Sequence, residues 1–287
     1  MDVAVVGAGR VGTAMAVLLR RAGHRIVAVA GGSGTPGRAA RYLPDIPVRD
    51  PADAARDAGV VLIGTPDSQI GPACEQLARS GALGEGQAVA HLSGATGLEA
   101  LASARSAGAT ALCLHPLQTC PDVEAGLERL PGSGFAITAE SEPGFVLGEQ
   151  LARDAGGRPF RLADDVKPLY HAAAVFASNY LVAVSAVAEE LERASGVPDP
   201  LGVLMPLQRA TLDNVAMLGP AAALTGPAVR GDAGTVERNL EALAKHAPHA
   251  VAAYVALADL ALDLAERAGR LPTDRREEVD EVLDRWR

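Results

Sequence analysis

The first twelve residues join an apolar strand to a glycine pattern that few folds accommodate. Val3–Val6 is apolar throughout and leads directly into Gly7-Ala8-Gly9-Arg10-Val11-Gly12, which opens an amphipathic stretch. In a strand–turn–helix unit, the first glycine permits a tight turn, the second lets the backbone approach a pyrophosphate, and the third lets helix and strand pack closely. The helix N-terminus adds free N–H groups that favour an anion. The motif therefore predicts a dinucleotide-binding site.

Apolar runs and amphipathic stretches alternate through the first half of the chain. The strand candidates are Val3–Val6, Ile26–Ala30, Val60–Gly64, Ala88–Leu92, Ala111–Leu114 and Gly134–Thr138, and the helical candidates include Val11–Ala22, Ala52–Ala58, Ile70–Ser80 and Pro143–Ala155. Strands that are apolar throughout and alternate with helices are typical of a parallel sheet covered on both faces. We therefore predict an α/β domain with a doubly wound parallel sheet, the Rossmann arrangement, over residues 1–162.

Strand-like runs disappear after Leu162. One long helix is predicted from Asp164 to about Ser195, and further helices are predicted at Leu201–Leu218, Thr235–Lys245 and Pro248–Ala268. The charged tail from Thr273 to Arg287 is expected to be a peripheral helix or a frayed end. The second domain, residues 163–287, is therefore predicted to be all-helical.

Charge and cysteine content exclude several classes of function. The formal net charge is -9, whereas nucleic-acid binding needs concentrated Lys and Arg. The three cysteines form no Cys-x-x-Cys pair, and no His/Cys cluster has zinc spacing, so we expect no metal site. We find neither a signal peptide nor an uncharged apolar run long enough to span a membrane, because the run around His171 to Ala188 is interrupted by Ser178 and Asn179. We therefore expect a cytoplasmic protein with no nucleic-acid or membrane partner.

The end of the second predicted strand bears on the choice of cofactor. NAD enzymes usually carry an acid there that binds the ribose 2′-hydroxyl, but this chain has Ala30-Gly31-Gly32-Ser33-Gly34. Ser33 is placed to donate to a 2′-phosphate, and Arg38 or Arg41 to pair with it, unless both arginines are solvated on a short helix. NADPH is therefore favoured over NADH.

Thr65 and Pro66 follow another apolar strand and are expected to line the nicotinamide side of the cofactor.

Several motifs together resemble a bacterial group of Rossmann-like proteins with a helical C-terminal domain of unknown function. The matching segments are VGAGRVG at 6–12, HLSGATG at 91–97, LHPLQT at 114–119, KPLYHAAAVFASNYLVA at 167–183 and ALTGPAVRGDAGTVERNL at 223–240. The group looks like a branch of the 6-phosphogluconate dehydrogenase-like superfamily. That superfamily includes ketopantoate reductase, 3-hydroxyisobutyrate dehydrogenase, pyrroline-5-carboxylate reductase and prephenate dehydrogenase. The resemblance implies an NAD(P)-dependent reductase, with its active site in a cleft between domains, and a homodimer formed through the helical domains.

The long helix departs from the related hydroxyacid dehydrogenases, which carry a catalytic Lys about one turn before a helix Asn. If Asn179 matches that Asn, Val175 occupies the position of the Lys. His171 lies one further turn back on the same helix face, so we predict it to be the proton donor. Its alternative role is that of a buried histidine bonded to backbone. Asn179 is predicted to hold the substrate oxygen or the nicotinamide amide. Ser178 is a weaker candidate for a substrate contact, and its alternative role is a hydrogen bond back to a helix carbonyl.

Four further residues are candidates for the chemistry. His115 follows a predicted strand where α/β sheets face their ligands, and prephenate dehydrogenase has a His-Pro at a similar place. Ser93 ends the preceding strand and is a candidate contact of the nicotinamide ribose. Lys167 is the nearest cation to the vacant Lys position. Arg230 lies in a Gly-rich connection and is a candidate clamp for a substrate carboxylate, or else pairs with Asp232.

These features support three hypotheses about the function of the protein. The first is an NADPH-dependent reductase of a small oxo acid, similar to ketopantoate reductase. The second is an enzyme of prephenate or arogenate dehydrogenase type, or an imine reductase. The third is a non-catalytic NADP-binding sensor or interaction protein, which the missing Lys keeps open. Polar groups gathered on one helix face favour an enzyme, because a sensor needs no proton donor beside the nicotinamide.

Overall fold

A computed structural model describes residues Met1–Arg287, which form two compact units, Met1–Asn179 and Tyr180–Arg287. The seven strands are β1 Asp2–Val6, β2 Arg25–Ala30, β3 Val60–Ile63, β4 Ala88–His91, β5 Thr110–Pro116, β6 Gly134–Ala139 and β7 Arg158–Arg161. The helices of the first unit are α1 Arg10–Arg21, α2 Thr35–Tyr42, α3 Pro51–Arg56, α4 Asp67–Arg79, α5 Ala102–Ser106, α6 Val123–Arg129, α7 Glu142–Asp154 and α8 Lys167–Ala177. Those that follow are α9 Asn179–Ala194, α10 Pro200–Leu218, α11 Pro220–Ala223, α12 Ala233–His246, α13 Val251–Arg267 and α14 Thr273–Asp284.

All seven strands form one sheet in the order β2-β1-β3-β4-β5-β6-β7. The first five strands run parallel to one another, and the chain reverses its winding direction at β1. The predicted Rossmann fold is thus confirmed. The sheet departs from the parallel arrangement at one pair, because β5 and β6 are antiparallel.

The edge strand β7 is absent from the sequence prediction for a physical reason. Its four residues, Arg-Pro-Phe-Arg, are mostly exposed and pair with β6 alone. A strand at a sheet edge buries little, so it lacks the apolar pattern by which the inner strands are recognised. The inner strands carry that pattern because α-helices cover both faces of the sheet, which gives the first unit its two buried clusters.

The long helix predicted from Asp164 to Ser195 is in fact two helices. Ser178 has non-helical backbone angles between α8 and α9. The helix α8, which the sequence analysis assigned to the second domain, belongs to the first compact unit. Residue 162 as the domain boundary stays a prediction.

The second unit is helical throughout, as predicted. Its core lies among α12, α13 and α14, with Val236, Leu240 and Leu262 buried in it. The charged tail is a true helix rather than a frayed end, since Val279 and Leu283 of α14 are fully buried in the same core.

Two helical stretches are long and apolar enough to cross a membrane, judged by length and mean hydropathy alone: Lys167–Ala194 and Pro248–Arg267. No stretch of this kind was expected from the sequence. In the first stretch, no part of the most apolar window is buried. In the second stretch, 28 % of the corresponding window is buried. The first stretch is also interrupted at Ser178. These helices therefore present an apolar surface that the single chain does not cover.

Candidate functional site

The glycine motif forms the predicted turn between β1 and α1. Gly7 has a φ of 89°, which a residue with a side chain rarely adopts, and a Cβ there would lie 2.5 Å from the Thr65 amide nitrogen. A Cβ on Gly12 would lie 2.7 Å from the Gly7 carbonyl oxygen, so the helix packs directly on the turn. Above Gly9, by contrast, nothing lies closer than 3.9 Å to a Cβ position. Gly9 therefore leaves open space beside a helix N-terminus that no side chain caps.

A cleft of about 550 Å³ opens over this turn at the carboxyl ends of β1, β2 and β3. Residues from the loops after all three strands line it, namely Gly7, Ala8, Gly9, Gly31, Gly32, Thr35, Arg38, Gly64, Thr65 and Pro66, together with neighbours from α3 and α4. This is the edge of a doubly wound sheet, beside its reversal point, where such folds bind ligands. The side chains of Thr35 and Thr65 bring buried hydroxyls that have no hydrogen-bond partner in the protein.

The two candidate arginines lie in different surroundings. Arg38 lines the cleft, and its Nε donates to the Ala8 carbonyl oxygen at 2.8 Å. Arg41 is instead ion-paired with Glu124. Ser33 is exposed and lies outside the lining, as do Arg10 at the start of α1 and the half-buried Val11. The cleft thus brings together Arg38 and the glycine turn, with no carboxylate among its lining residues.

A second polar cluster lies along the same edge of the sheet, around His115 near the end of β5. Nδ1 of His115 lies 2.9 Å from the hydroxyl oxygen of Tyr170 in α8. The two rings meet edge to face, and Phe160 of β7 packs against the tyrosine. Burial, together with the nearby charges of Lys167 and His171, lowers the pKa of His115 to about 4. Burial, together with Cys113, raises the pKa of Tyr170 to about 12, so both side chains are neutral at pH 7.

Lys167 is the buried cation of this cluster, with only 1 % of the residue exposed. Its Nζ donates to the Ser93 carbonyl oxygen at 3.2 Å and to Sγ of Cys113 at 3.0 Å. The Cys113 thiol also donates to the Ser93 carbonyl, and burial raises the pKa of that thiol. The amine is therefore satisfied by protein atoms. The geometry gives it no direct path to a substrate carboxylate or a reacting oxygen.

The predicted position Ser93 lies in the loop after β4, and His91 is the last residue of that strand. The hydroxyl of Ser93 accepts from the amides of Ala95 and Thr96, so it shapes the turn. His91 is fully buried, and its Nδ1 accepts from the Ser93 amide at 3.2 Å. Burial first, and the charge of Lys167 second, lower the pKa of His91 to about 3. His91 thus supports the loop as a neutral ring.

The remaining predicted residues lie at or beyond the end of the first unit. His171 is half-buried in α8, and its Nδ1 is a buried atom with no hydrogen-bond partner. Because Ser178 interrupts the helix, the helical-face relation predicted between His171 and Asn179 does not extend to Asn179, which is exposed. Arg230 is an exposed residue of the second unit. Asp232 caps α12 by accepting from the Thr235 amide, and the charge of Arg230 is among the influences that lower the pKa of that carboxyl.

Tyr170 is the site residue that sequence reasoning missed. In the sequence it lies three residues after Lys167, within the segment predicted to begin the long helix. Its spacing in the sequence could have identified it as a site residue. Lys167, Tyr170 and His171 fall within two helical turns and therefore share one side of α8.

Comparison with known families assigns both parts of the chain. Residues 1–116 match the family of Rossmann-like domains, and residues 133–261 match a domain of unknown function, DUF2520. One segment in each half of the chain thus matches a family model, in agreement with the resemblance to that group. Among curated protein sequences, none matches this chain significantly.

Solved structures share the fold at low sequence identity. A provisionally named NADP oxidoreductase from Bacteroides fragilis is 23 % identical, with a TM-score of 0.74 over 91 % of this chain and 98 % of that one. A protein from Thermotoga maritima is also 23 % identical, with a TM-score of 0.70 over 93 % of this chain and 100 % of that one. A reductive aminase from Aspergillus terreus, solved with NADPH and ethyl levulinate, is 19 % identical, with a TM-score of 0.63 over 98 % of each chain. These similarities establish the two-part architecture.

Proposed function

We propose that this protein is an NADP-dependent oxidoreductase that reduces a carbon–oxygen or carbon–nitrogen double bond in a small molecule. The observation that carries the proposal is the neutral Tyr170–His115 pair on the same sheet edge as a glycine-lined cleft. The order of the strands supports it, because β4 and β5 continue the edge formed by β2, β1 and β3. A dinucleotide that lies along this edge extends from the cleft towards the pair.

The cleft fits the cofactor in three respects. Gly9 leaves room for a pyrophosphate at the start of α1, and Thr35 and Thr65 offer unpaired hydroxyls. Arg38 supplies a cation at the end where a 2′-phosphate is expected, and no carboxylate opposes it. When bound, NADPH supplies the hydride. The solved reductive aminase binds NADPH, which agrees with this choice.

Tyr170 is proposed as the proton donor. Hydride addition to a carbonyl produces an alkoxide that must be protonated as it forms. A phenol whose pKa is about 12 keeps its proton at neutral pH, yet it gives that proton readily to an alkoxide, which is a much stronger base. His115 holds the hydroxyl in place from a neutral ring. His171 remains the second candidate, since its unpartnered Nδ1 lies in the same cluster.

Two substrate classes are proposed, each on a different observation. A small oxo acid needs a cation for its carboxylate, and Arg230 is an exposed cation. An uncharged ketone or a cyclic imine is favoured by the enclosure of Lys167, because this leaves the cluster around Tyr170 without an accessible cation. The oxo acid remains the first proposal, and the imine is the alternative.

We also propose that the protein is a homodimer formed through its helices. Large apolar side chains are exposed along α8, α9 and α10, including Leu169, Val182, Leu207 and Met217, whose exposed fractions are 64 % to 75 %. Large apolar patches on a protein surface are typical of interaction sites. A second copy of the chain is the expected partner, because the resemblance implies association through the helical domains.

The test is a screen of NADPH oxidation by the purified protein. The panel contains 2-oxo acids, uncharged ketones with and without an amine, and cyclic imines. Turnover of oxo acids that is lost in Arg230→Met supports the first class. Turnover of imines or uncharged ketones that is unaffected by Arg230→Met supports the second. If no member is reduced and NADPH does not bind, the proposed function is wrong.

A further inference from the structure

We infer that Gly34 determines cofactor specificity, because the absence of a side chain at this position lets the Arg38 guanidinium lie where it can bind a 2′-phosphate. This role rests on the proposed function, since it requires that an NADP cofactor occupies the cleft. Gly34 supplies the space in this arrangement, and Arg38 supplies the charge.

The backbone conformation does not require a glycine at position 34. The residue precedes α2 with a φ of -80° and a ψ of -8°, angles that any residue type adopts. Gly7 is the contrasting case, because its φ of 89° favours glycine. A glycine loses more chain entropy on folding than other residues do, and at position 34 no unusual backbone angle offsets that cost. The use of this glycine therefore lies in the space beside it.

The atoms nearest to that space belong to a single side chain. A Cβ on Gly34 would lie 2.7 Å from Nη1 of Arg38, 3.4 Å from its Cζ and 3.5 Å from its Nη2. The two preceding glycines of the loop differ. A Cβ on Gly31 would lie 2.5 Å from the Thr35 hydroxyl oxygen, and a Cβ on Gly32 would meet nothing within 4 Å. Among these three glycines, Gly34 is thus the one that makes room for the guanidinium.

The guanidinium of Arg38 is fixed at one nitrogen and free at the other two. Its Nε donates to the Ala8 carbonyl oxygen at 2.8 Å. That carbonyl belongs to the glycine turn and also accepts from the Thr13 hydroxyl of α1 at 3.1 Å, so the anchor is itself held in place. Nη1 and Nη2 form no hydrogen bond or ion pair with the protein. They offer two N–H donors side by side, an arrangement that suits two oxygens of one phosphate group.

A methyl group at position 34 would disturb this arrangement. The guanidinium is planar and rigid, so Nη1 cannot move away from the methyl group unless Nε shifts from the Ala8 carbonyl or the two free donors turn. The end of an arginine side chain moves easily, so the fold should tolerate the change. The property that suffers is the position of the two donors. NADH lacks the 2′-phosphate, so its binding should not depend on them.

The experiment is a titration of NADPH and NADH into the full chain by calorimetry, for the wild type, Gly34→Ala, Arg38→Ala and the double variant. Gly34→Ala should weaken NADPH binding about tenfold and leave NADH binding within about twofold of wild type. In the Arg38→Ala background, adding Gly34→Ala should change NADPH binding by less than about twofold, because the methyl group then displaces no guanidinium.

Gly37→Ala is the matched control. It adds the same methyl group to α2 at a position where a Cβ meets nothing within 4 Å, so it should bind both nucleotides as the wild type does. Unchanged NADPH affinity in Gly34→Ala would overturn the role of Gly34. An equal loss for NADH, or an equal loss in the Arg38→Ala background, would also overturn it, because either result indicates that the methyl group touches the cofactor directly.

The wild type separates this role from the proposed function. A wild type that binds NADPH no more tightly than NADH, or binds neither, refutes the proposed cofactor and the role of Gly34 together. A wild type that prefers NADPH, with Gly34→Ala indistinguishable from Gly37→Ala, refutes the role of Gly34 alone. Retained NADH binding shows that each variant is folded.

Discussion

Gly94 lies directly against the imidazole of His115. A Cβ on residue 94 would lie 2.6 Å from Cε1 of the ring and 2.8 Å from each ring nitrogen. No real Cβ contact is that short, so a side chain here displaces the ring. The glycine therefore sets the position from which His115 reaches the Tyr170 hydroxyl.

Replacing Gly94 tests whether that position matters. In Gly94→Ala the ring must move, which breaks or lengthens the 2.9 Å contact with Tyr170. We expect turnover to fall by about tenfold or more, with NADPH affinity unchanged, because a misplaced catalytic group costs rate rather than cofactor binding. Gly84→Ala is the control, since nothing lies within 4 Å of a Cβ there. Equal turnover in the two variants contradicts the positioning role.

Removal of the phenol tests the proton donor. Tyr170→Phe keeps the ring packed against Phe160 and loses only the hydroxyl. Turnover should fall by a factor of about 10² to 10⁴, the usual cost of losing a positioned acid, while NADPH binds as before. His171→Gln, measured in parallel, should cost much less. The opposite ranking assigns proton donation to His171, which the sequence analysis favoured.

The buried imidazoles predict a dependence of stability on pH. In the unfolded chain they protonate near pH 6.5, but in the folded chain only near about 4 for His115 and about 3 for His91. The unfolded state therefore binds more protons between pH 6.5 and about 4. The stabilisation that comes from keeping these rings neutral is therefore complete above pH 6.5. As the pH falls below 6.5, each ring lowers the free energy of unfolding by about 1.4 kcal/mol per pH unit.

Urea unfolding at pH 7, 6 and 5 measures this slope. In His91→Gln the slope should become shallower by about 1.4 kcal/mol per pH unit, because one of the two rings no longer contributes. Carboxylates titrate equally in both proteins, so they cancel in the comparison. Identical slopes for wild type and variant are inconsistent with a buried neutral His91.

The exposed apolar side chains of α10 predict the behaviour of the dimer. Light scattering should give twice the mass of the chain at low micromolar concentration. Leu207→Glu places a charge on the proposed interface and should shift the protein towards monomer. Val146→Glu is the control, since Val146 is also exposed but lies on α7 of the sheet domain. A wild type that stays monomeric and folded contradicts the proposal.

The fold of the Rossmann-like half was largely predictable from sequence because its signals are local. Gly7, Gly9 and Gly12 are required by one turn, and the inner strands are apolar because each is buried on both faces. The antiparallel pairing of β6 could not be predicted in this way. Periodicity along a strand reports its burial and carries no information about the direction of its neighbour.

The candidate site was only partly predictable because it depends on contacts between distant segments. His115 and Lys167 were identified from their residue types and their positions in the sequence. Their partners are Tyr170, Cys113 and the Ser93 carbonyl, and these contacts form only when α8 packs against β4 and β5. The relation between His171 and Asn179 failed because it assumed one continuous helix. A single non-helical residue, Ser178, removes that relation, and neighbouring propensities do not reveal it.

The identity of the cofactor is the central claim, and Arg38 is its most specific structural support. Arg38 lines the cleft, while Arg41 is already paired with Glu124. Arg38→Ala should therefore weaken NADPH binding by about 1.5–3 kcal/mol, the contribution of a charged hydrogen bond, and leave NADH binding unchanged. Arg41→Ala should leave both unchanged. Gly32→Asp, where a Cβ meets nothing within 4 Å, should reverse the preference towards NADH.

Calorimetric titration of NADPH and NADH into the wild type and these three variants is the most direct measurement. The account predicts that the wild type binds NADPH more tightly than NADH and that Arg38→Ala alone among the two arginine variants removes the difference. Equal or tighter binding of NADH by the wild type, or no binding of either nucleotide, would contradict it.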